Sequence, residues 1–141
     1  MTATSPSALQ LTLGPVLYHW APEVWRDFYF RMADEAPLDR VVVETLDGVG
    51  FLTMNGVQTQ ARACTSLIAD LDAVAAAGAS ALRLSPQQGD MVQVAQAFRD
   101  VADGVCAPAE GQRHLAEAYP GAVFSNGFLH GEAGVRWKAA G

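Results

Sequence analysis

Apolar runs alternate with helical-period segments between residues 11 and 104. Leu11 to Tyr18 is apolar and nearly continuous, as in a strand buried on both faces, and Pro15 within it predicts an edge position or a bulge. Ala21-Pro22-Glu23 is a helix start, with proline in the first turn and an acid beside it. Val24, Trp25, Phe28, Met32 and Ala33 then recur at helical spacing until Pro37. Val41-Val42-Val43 is a β-branched run, read as a strand over Arg40–Glu44. Thr45-Leu46-Asp47-Gly48 reads as a turn and Gly50–Met54 as the next strand. A helix is expected from Arg62 to Ala77, with Cys64, Leu67, Ile68, Leu71, Val74 and Ala75 on its apolar stripe and Gly78 as its cap. Ala81–Leu84 is a strand stopped by Ser85-Pro86. Asp90 is placed to cap a helix that turns Met91, Val94, Phe98 and Val101 inward and ends at Gly104.

This β-α-β, β-α-β-α order predicts an α/β fold with parallel strands and crossover helices. Thr12–Tyr18, Arg40–Glu44, Gly50–Met54 and Ala81–Leu84 are expected in one sheet. The step from Val43 to Phe51 breaks the rhythm. About seven residues join the two strands there, and a parallel connection needs a dozen or more. Either the strands pair antiparallel, or they are not neighbours, or a segment is missing near residues 44–47. Residues 1–10 read as a flexible leader, 11–104 as the α/β domain, and 105–141 as a C-terminal extension packed on it. In that extension Pro108 to Tyr119 suggests a helix with Leu115, Ala116 and Tyr119 inward, followed by a strand at Val123-Phe124.

The chain has 141 residues, half of them hydrophobic, with a net charge of -6. That is one domain's worth of chain with enough apolar content for a core. Nine basic residues scattered along an acidic chain argue against a nucleic-acid partner. No apolar run approaches the roughly 20 residues that span a bilayer, so membrane insertion is not expected. Residues 1–10 lack the basic and apolar regions of a secretory signal. The expected compartment is the cytoplasm, with Cys64 and Cys106 reduced.

Three stretches carry a family resemblance: Leu13-Gly14-Pro15-Val16-Leu17-Tyr18, Asn55-Gly56-Val57-Gln58-Thr59 and Arg83-Leu84-Ser85-Pro86-Gln87. Ser125-Asn126-Gly127-Phe128-Leu129-His130-Gly131 adds a weaker fourth. Together they resemble the UbiV-like, ubiquinone-biosynthesis branch of the collagenase-like U-type peptidase family. The resemblance covers about 11–43, 47–104 and, more weakly, 123–137. It implies a partial (βα) barrel of about four mostly parallel strands, because a full barrel takes about 250 residues and the central, cysteine-bearing part is missing. It also implies an accessory role in oxygen-independent ubiquinone biosynthesis, in ring hydroxylation with a UbiU-like partner. Full-length relatives hold a [4Fe–4S] cluster on four cysteines. Cys64 and Cys106 match none of those positions, so no cofactor is expected here and the accessory role is expected to be impaired.

His19 is expected at the C-terminal end of the first strand, where barrel enzymes place catalytic groups. It is the candidate catalytic residue, against the plainer reading of a half-wet strand-end histidine. Tyr18, Asn55, Gln58, Arg83, Ser85 and Gln87 also follow or end strands and could line one polar cup that binds substrate. Arg83 calls for an anionic partner, either a protein carboxylate or a ligand carboxylate or phosphate. His114 and His130 have no partner at metal-ligand spacing. No hydrolase or P-loop motif is present. Three functions are therefore carried forward: the UbiV-like accessory protein, a non-catalytic α/β binding or assembly module, and a peptidase-like hydrolase. Association as a homodimer or with a UbiU-like protein follows from the strand edges a shortened barrel would leave open.

Overall fold

The computed structural model describes residues 9–17, 20–43, 45–46, 49–50 and 63–139. The central strand, β1 (Gln10–Leu13), is followed by α1 (Pro22–Glu35), β2 (Arg40–Val41), β3 (Thr45–Leu46), β4 (Val49–Gly50), β5 (Cys64–Thr65), α2 (Leu71–Ala76), β6 (Ala81–Leu84), α3 (Met91–Ala102), α4 (Pro108–Ala118) and β7 (Phe124–Ser125). Short 3-10 turns precede α2 at Ile68–Asp70 and follow β7 at Gly127–His130. The fold is mixed α/β, with a few short strands in three small sheets. The described strands close no barrel.

The main sheet has the order β2-β1-β6, and both of its pairings are parallel. Period-2 alternation sends Leu11, Leu13, Leu82 and Leu84 to one face, where all four are buried. There they meet Met32 and Tyr29 of α1, Met91, Ala95 and Phe98 of α3, and Leu115 of α4. The opposite face carries Gln10, Thr12, Ala81 and Arg83.

Several expectations change. Thr12–Tyr18 is not one long strand: β1 ends at Leu13. Pro15 has no N–H for a ladder and sits beyond a central strand rather than inside an edge strand. The buried Val16 N–H instead donates to the Tyr29 hydroxyl at 2.8 Å, tying the chain to α1. The strand expected over Arg40–Glu44 is only Arg40–Val41, although Val42 N–H still donates to the Leu13 carbonyl.

The fourth strand does not join the main sheet. Val49–Gly50 pairs antiparallel with Thr45–Leu46, as a connection too short for a parallel crossover requires. Thr45 and Leu46 are thus strand residues rather than part of a turn. Glu44, the Asp47-Gly48 pair and Phe51 to Met54 lie outside the described residues.

The helix expected from Arg62 to Ala77 is much shorter. Arg62 lies outside the described residues, and Cys64–Thr65 is a strand paired parallel with Phe124–Ser125. Ser66 then accepts the Ile68 N–H on its hydroxyl at 3.4 Å and opens the turn that leads into α2. This local side-chain bond competes with helix formation. Gly78 ends the segment as expected, at φ 95°, a conformation open to glycine at little cost. Asp90 caps α3 by accepting the Gln93 N–H. In α4 the inward residues are Gly111, Leu115 and Ala118, and Ala116 faces solvent. In α1 the buried pair is Tyr29 and Met32, while Val24 is exposed. The β5–β7 pair and α4 hold residues 105–139 on the same core. Among the described residues no helix is long and apolar enough to cross a membrane.

Candidate functional site

Tyr18, His19, Asn55 and Gln58 lie outside the described residues. Arg83 and Ser85 are both exposed. Arg83 projects from the face of β6 opposite Leu82 and Leu84 and pairs in register with Thr12. Its guanidinium lies against Gly14: a Cβ there would meet Nε at 2.5 Å. The glycine leaves room for the cation to rest on the chain just past β1. No protein carboxylate partners Arg83 among the described residues. Ser85 follows β6 with its side chain in solvent, apart from any described cluster.

An open groove of about 780 Å³ lies between α1 and the loop that follows β6, lined by Trp20, Val24, Phe28, Asp27, Arg31 and Gln87 among others. Trp20 and Phe28 meet edge to face, with centroids 5.0 Å apart. Arg31 reaches Glu35 at 3.0 Å and Asp90 at 3.4 Å. The Glu35 hydrogen bond first, then the Asp90 charge, hold Arg31 above its usual range. Its charge is therefore committed to protein carboxylates. Gln87 is the strand-end residue that the sequence placed in the cup and the structure places in the groove.

A second polar cluster, unforeseen in the sequence, sits where the C-terminal segment meets the turn before α2. Asp70 and Asn126 are buried. Asp70 Oδ1 lies 3.0 Å from His130 Nε2, and Asp70 Oδ2 accepts from Asn126 Nδ2 at 2.8 Å. Asn126 Nδ2 also donates to the Lys138 carbonyl at 2.8 Å, and Asn126 Oδ1 accepts the Lys138 N–H at 2.7 Å. Both amide hydrogens are thereby used, so the 3.4 Å approach of Nδ2 to His130 Nε2 is not a further bond. A carboxylate behind an imidazole is an arrangement that orients a base. Here the amide and the carboxylate both serve to hold residues 126–138 in place. The helical period expected around Asp70 hid this cluster, because the residue sits on a 3-10 turn facing a segment more than fifty positions away.

The two cysteines do not fit the cluster that the family resemblance implies. A [4Fe–4S] centre takes four thiolates, and the chain has two cysteines. Cys64 is half-buried on β5, not on a helical stripe, and burial pushes its thiol pKa up. Desolvation, then Glu110 and Asp100, push the Cys106 thiol up as well. Among the described residues no three His, Cys, Asp or Glu side chains gather to hold a metal ion. No family model, no curated protein and no solved structure matches this chain.

Proposed function

We propose that the chain is an accessory protein of the UbiV-like kind, acting in oxygen-independent ubiquinone biosynthesis by association with a UbiU-like partner in the cytoplasm. The observation that supports this reading is the sheet order. The first strand lies between the next strand in the chain and a late strand, all parallel, which is the local arrangement at the seam of a parallel barrel. The partial barrel is part of the same proposal. Two cysteines that do not fit a cluster lead us to assign a partner-binding role rather than electron transfer. The test is co-expression with a UbiU-like protein, followed by size-exclusion chromatography and by ubiquinone measurement in an anaerobic strain lacking its own UbiV-like protein. Co-elution with partly restored ubiquinone is expected, because the cluster ligands are absent. Separate elution without ubiquinone would remove the reading.

A second reading, a non-catalytic α/β binding or assembly module, is favoured by the polar row of Thr12 and the exposed Arg83 on the main sheet. Co-elution without ubiquinone would select it.

A further inference from the structure

Arg26, Arg31, Arg99, Arg113 and Arg136 each hold a protein carboxylate. Arg40 and Arg83 are the described arginines that form no ion pair among the described residues. This matters because the chain has more acids than bases, so carboxylates are plentiful. The two also share a place in the sheet. Arg40 pairs in register with Thr12 from one side, and Arg83 pairs with the same Thr12 from the other. Residues directly paired across neighbouring strands point to the same face.

Neighbouring contacts identify that face. Leu82 and Leu84, on either side of Arg83, are buried toward the helices. Asp39, just before Arg40, also turns toward that layer. Its carboxylate accepts the Leu11 N–H at 2.7 Å and meets Arg99 of α3 at 2.6 Å. Asp39, the nearest acid in sequence to Arg40, is bonded to Leu11 and Arg99 and feels the Arg40 charge from beyond ion-pair distance. Two guanidinium-bearing side chains and a hydroxyl stand in one row on the face that no described helix covers. Across two strand spacings the two arginine Cα atoms are about 10 Å apart. Arg83 is also held down against Gly14, toward the C-terminal end of β1, the end of an α/β sheet where ligands bind.

Two guanidinium groups on strands flanking β1, neither of them ion-paired among the described residues, make this face locally positive in an acidic chain. We propose that Arg40, Thr12 and Arg83 form a binding site for a phosphate-class oxyanion on the open face of the β2-β1-β6 sheet. A guanidinium presents a planar fork of donors that matches a phosphate oxygen pair, and the Thr12 hydroxyl supplies a donor between the two forks. The site is independent of the quinone reading and takes a phosphate monoester or free phosphate by the same contacts.

The test is calorimetric titration of the full chain with inorganic phosphate at low ionic strength, repeated with sodium chloride at matched ionic strength and with phenyl phosphate. Saturable phosphate binding is expected, weakened about tenfold or more in Arg40→Gln and in Arg83→Gln. Arg113→Gln, which removes an exposed arginine already paired with Glu110, should bind as the parent does. Tighter phenyl phosphate binding would assign the site to a phosphate monoester, and equal binding to the free ion. All three substitutions are of exposed side chains, and thermal melts check that each variant folds. Absence of saturable binding would overturn the proposal. So would parent-like binding by both folded arginine variants, or equal heat from chloride.

Discussion

Replacing Asn126 with alanine tests the buried clamp. Asn126 is 2% exposed, and its amide makes three good hydrogen bonds: to Asp70 Oδ2, to the Lys138 carbonyl and from the Lys138 N–H. The bond to the buried carboxylate is the expensive one to lose, at about 1.5–3 kcal/mol for a charged acceptor. The two bonds to Lys138 involve an exposed segment where water can take over, so each counts about 0.5–1 kcal/mol. The sum is about 2.5–5 kcal/mol, a large part of the roughly 5–15 kcal/mol that holds a domain together. Urea unfolding should show a midpoint lowered by about 1–3 M with an unchanged slope. Asn126→Asp keeps the shape but sets a second carboxylate against Asp70, so it should be destabilised at neutral pH and partly recover in acid. A loss below about 1 kcal/mol in the alanine variant would refute the reasoning, since the amide would then have been carrying little.

Three further outcomes are expected. The Leu11 N–H first, then Arg99, hold the Asp39 carboxyl below its usual range; the bond contributes stability above the unfolded carboxylate pKa of about 4 and loses it as pH falls through the lower folded value. The stability gap between the parent and Asp39→Asn should therefore narrow between pH 5 and pH 2, as urea midpoints across that range (about these limits) will show. Gly111→Ala would drive a methyl into Val101 Cγ2 where α4 crosses α3, costing about 1–3 kcal/mol by overpacking, measurable as a lowered melting temperature. Val41, Val42 and Val43 are 37–42% exposed beside an edge strand, so sedimentation equilibrium should show self-association that Val42→Lys abolishes; a parent that stays monomeric at micromolar concentration would end that expectation.

The elements that were legible in the sequence are those whose signals are local. Pro22 and Glu23 start α1, Asp90 caps α3 and Gly78 ends α2, each through its own backbone or side-chain chemistry. That the strands at Leu11, Arg40 and Ala81 share one parallel sheet followed from the alternation of strands and helices. The failures are non-local. Cys64 and Thr65 sit in an apolar, helix-period stretch, but their partner is Phe124–Ser125 at the far end of the chain. No local pattern announces that pairing, and it overrides propensity. The same distance concealed the Asp70–Asn126–His130 cluster. Arg83 was legible as a cation in want of an anion. That Arg40 shares its row depended on the strand register, which two strand residues at Arg40 and Val41 barely specify in sequence.

The β5–β7 pair has a kinetic consequence. It joins residue 64 to residue 124 through only two residues on each side, enclosing a loop of about 60 residues. Closing such a loop costs about 4 kcal/mol in chain entropy before any contact rewards it. During synthesis at roughly 5–20 residues per second, β5 waits about 3–12 s for its partner to be made. Throughout that interval the segment at Ala63–Ser66 has no strand partner, and α4, which packs on α3, is itself complete only shortly before β7 is made. The newborn chain is thus most exposed to capture by other strands, and most in need of a chaperone, near its middle rather than at its growing end.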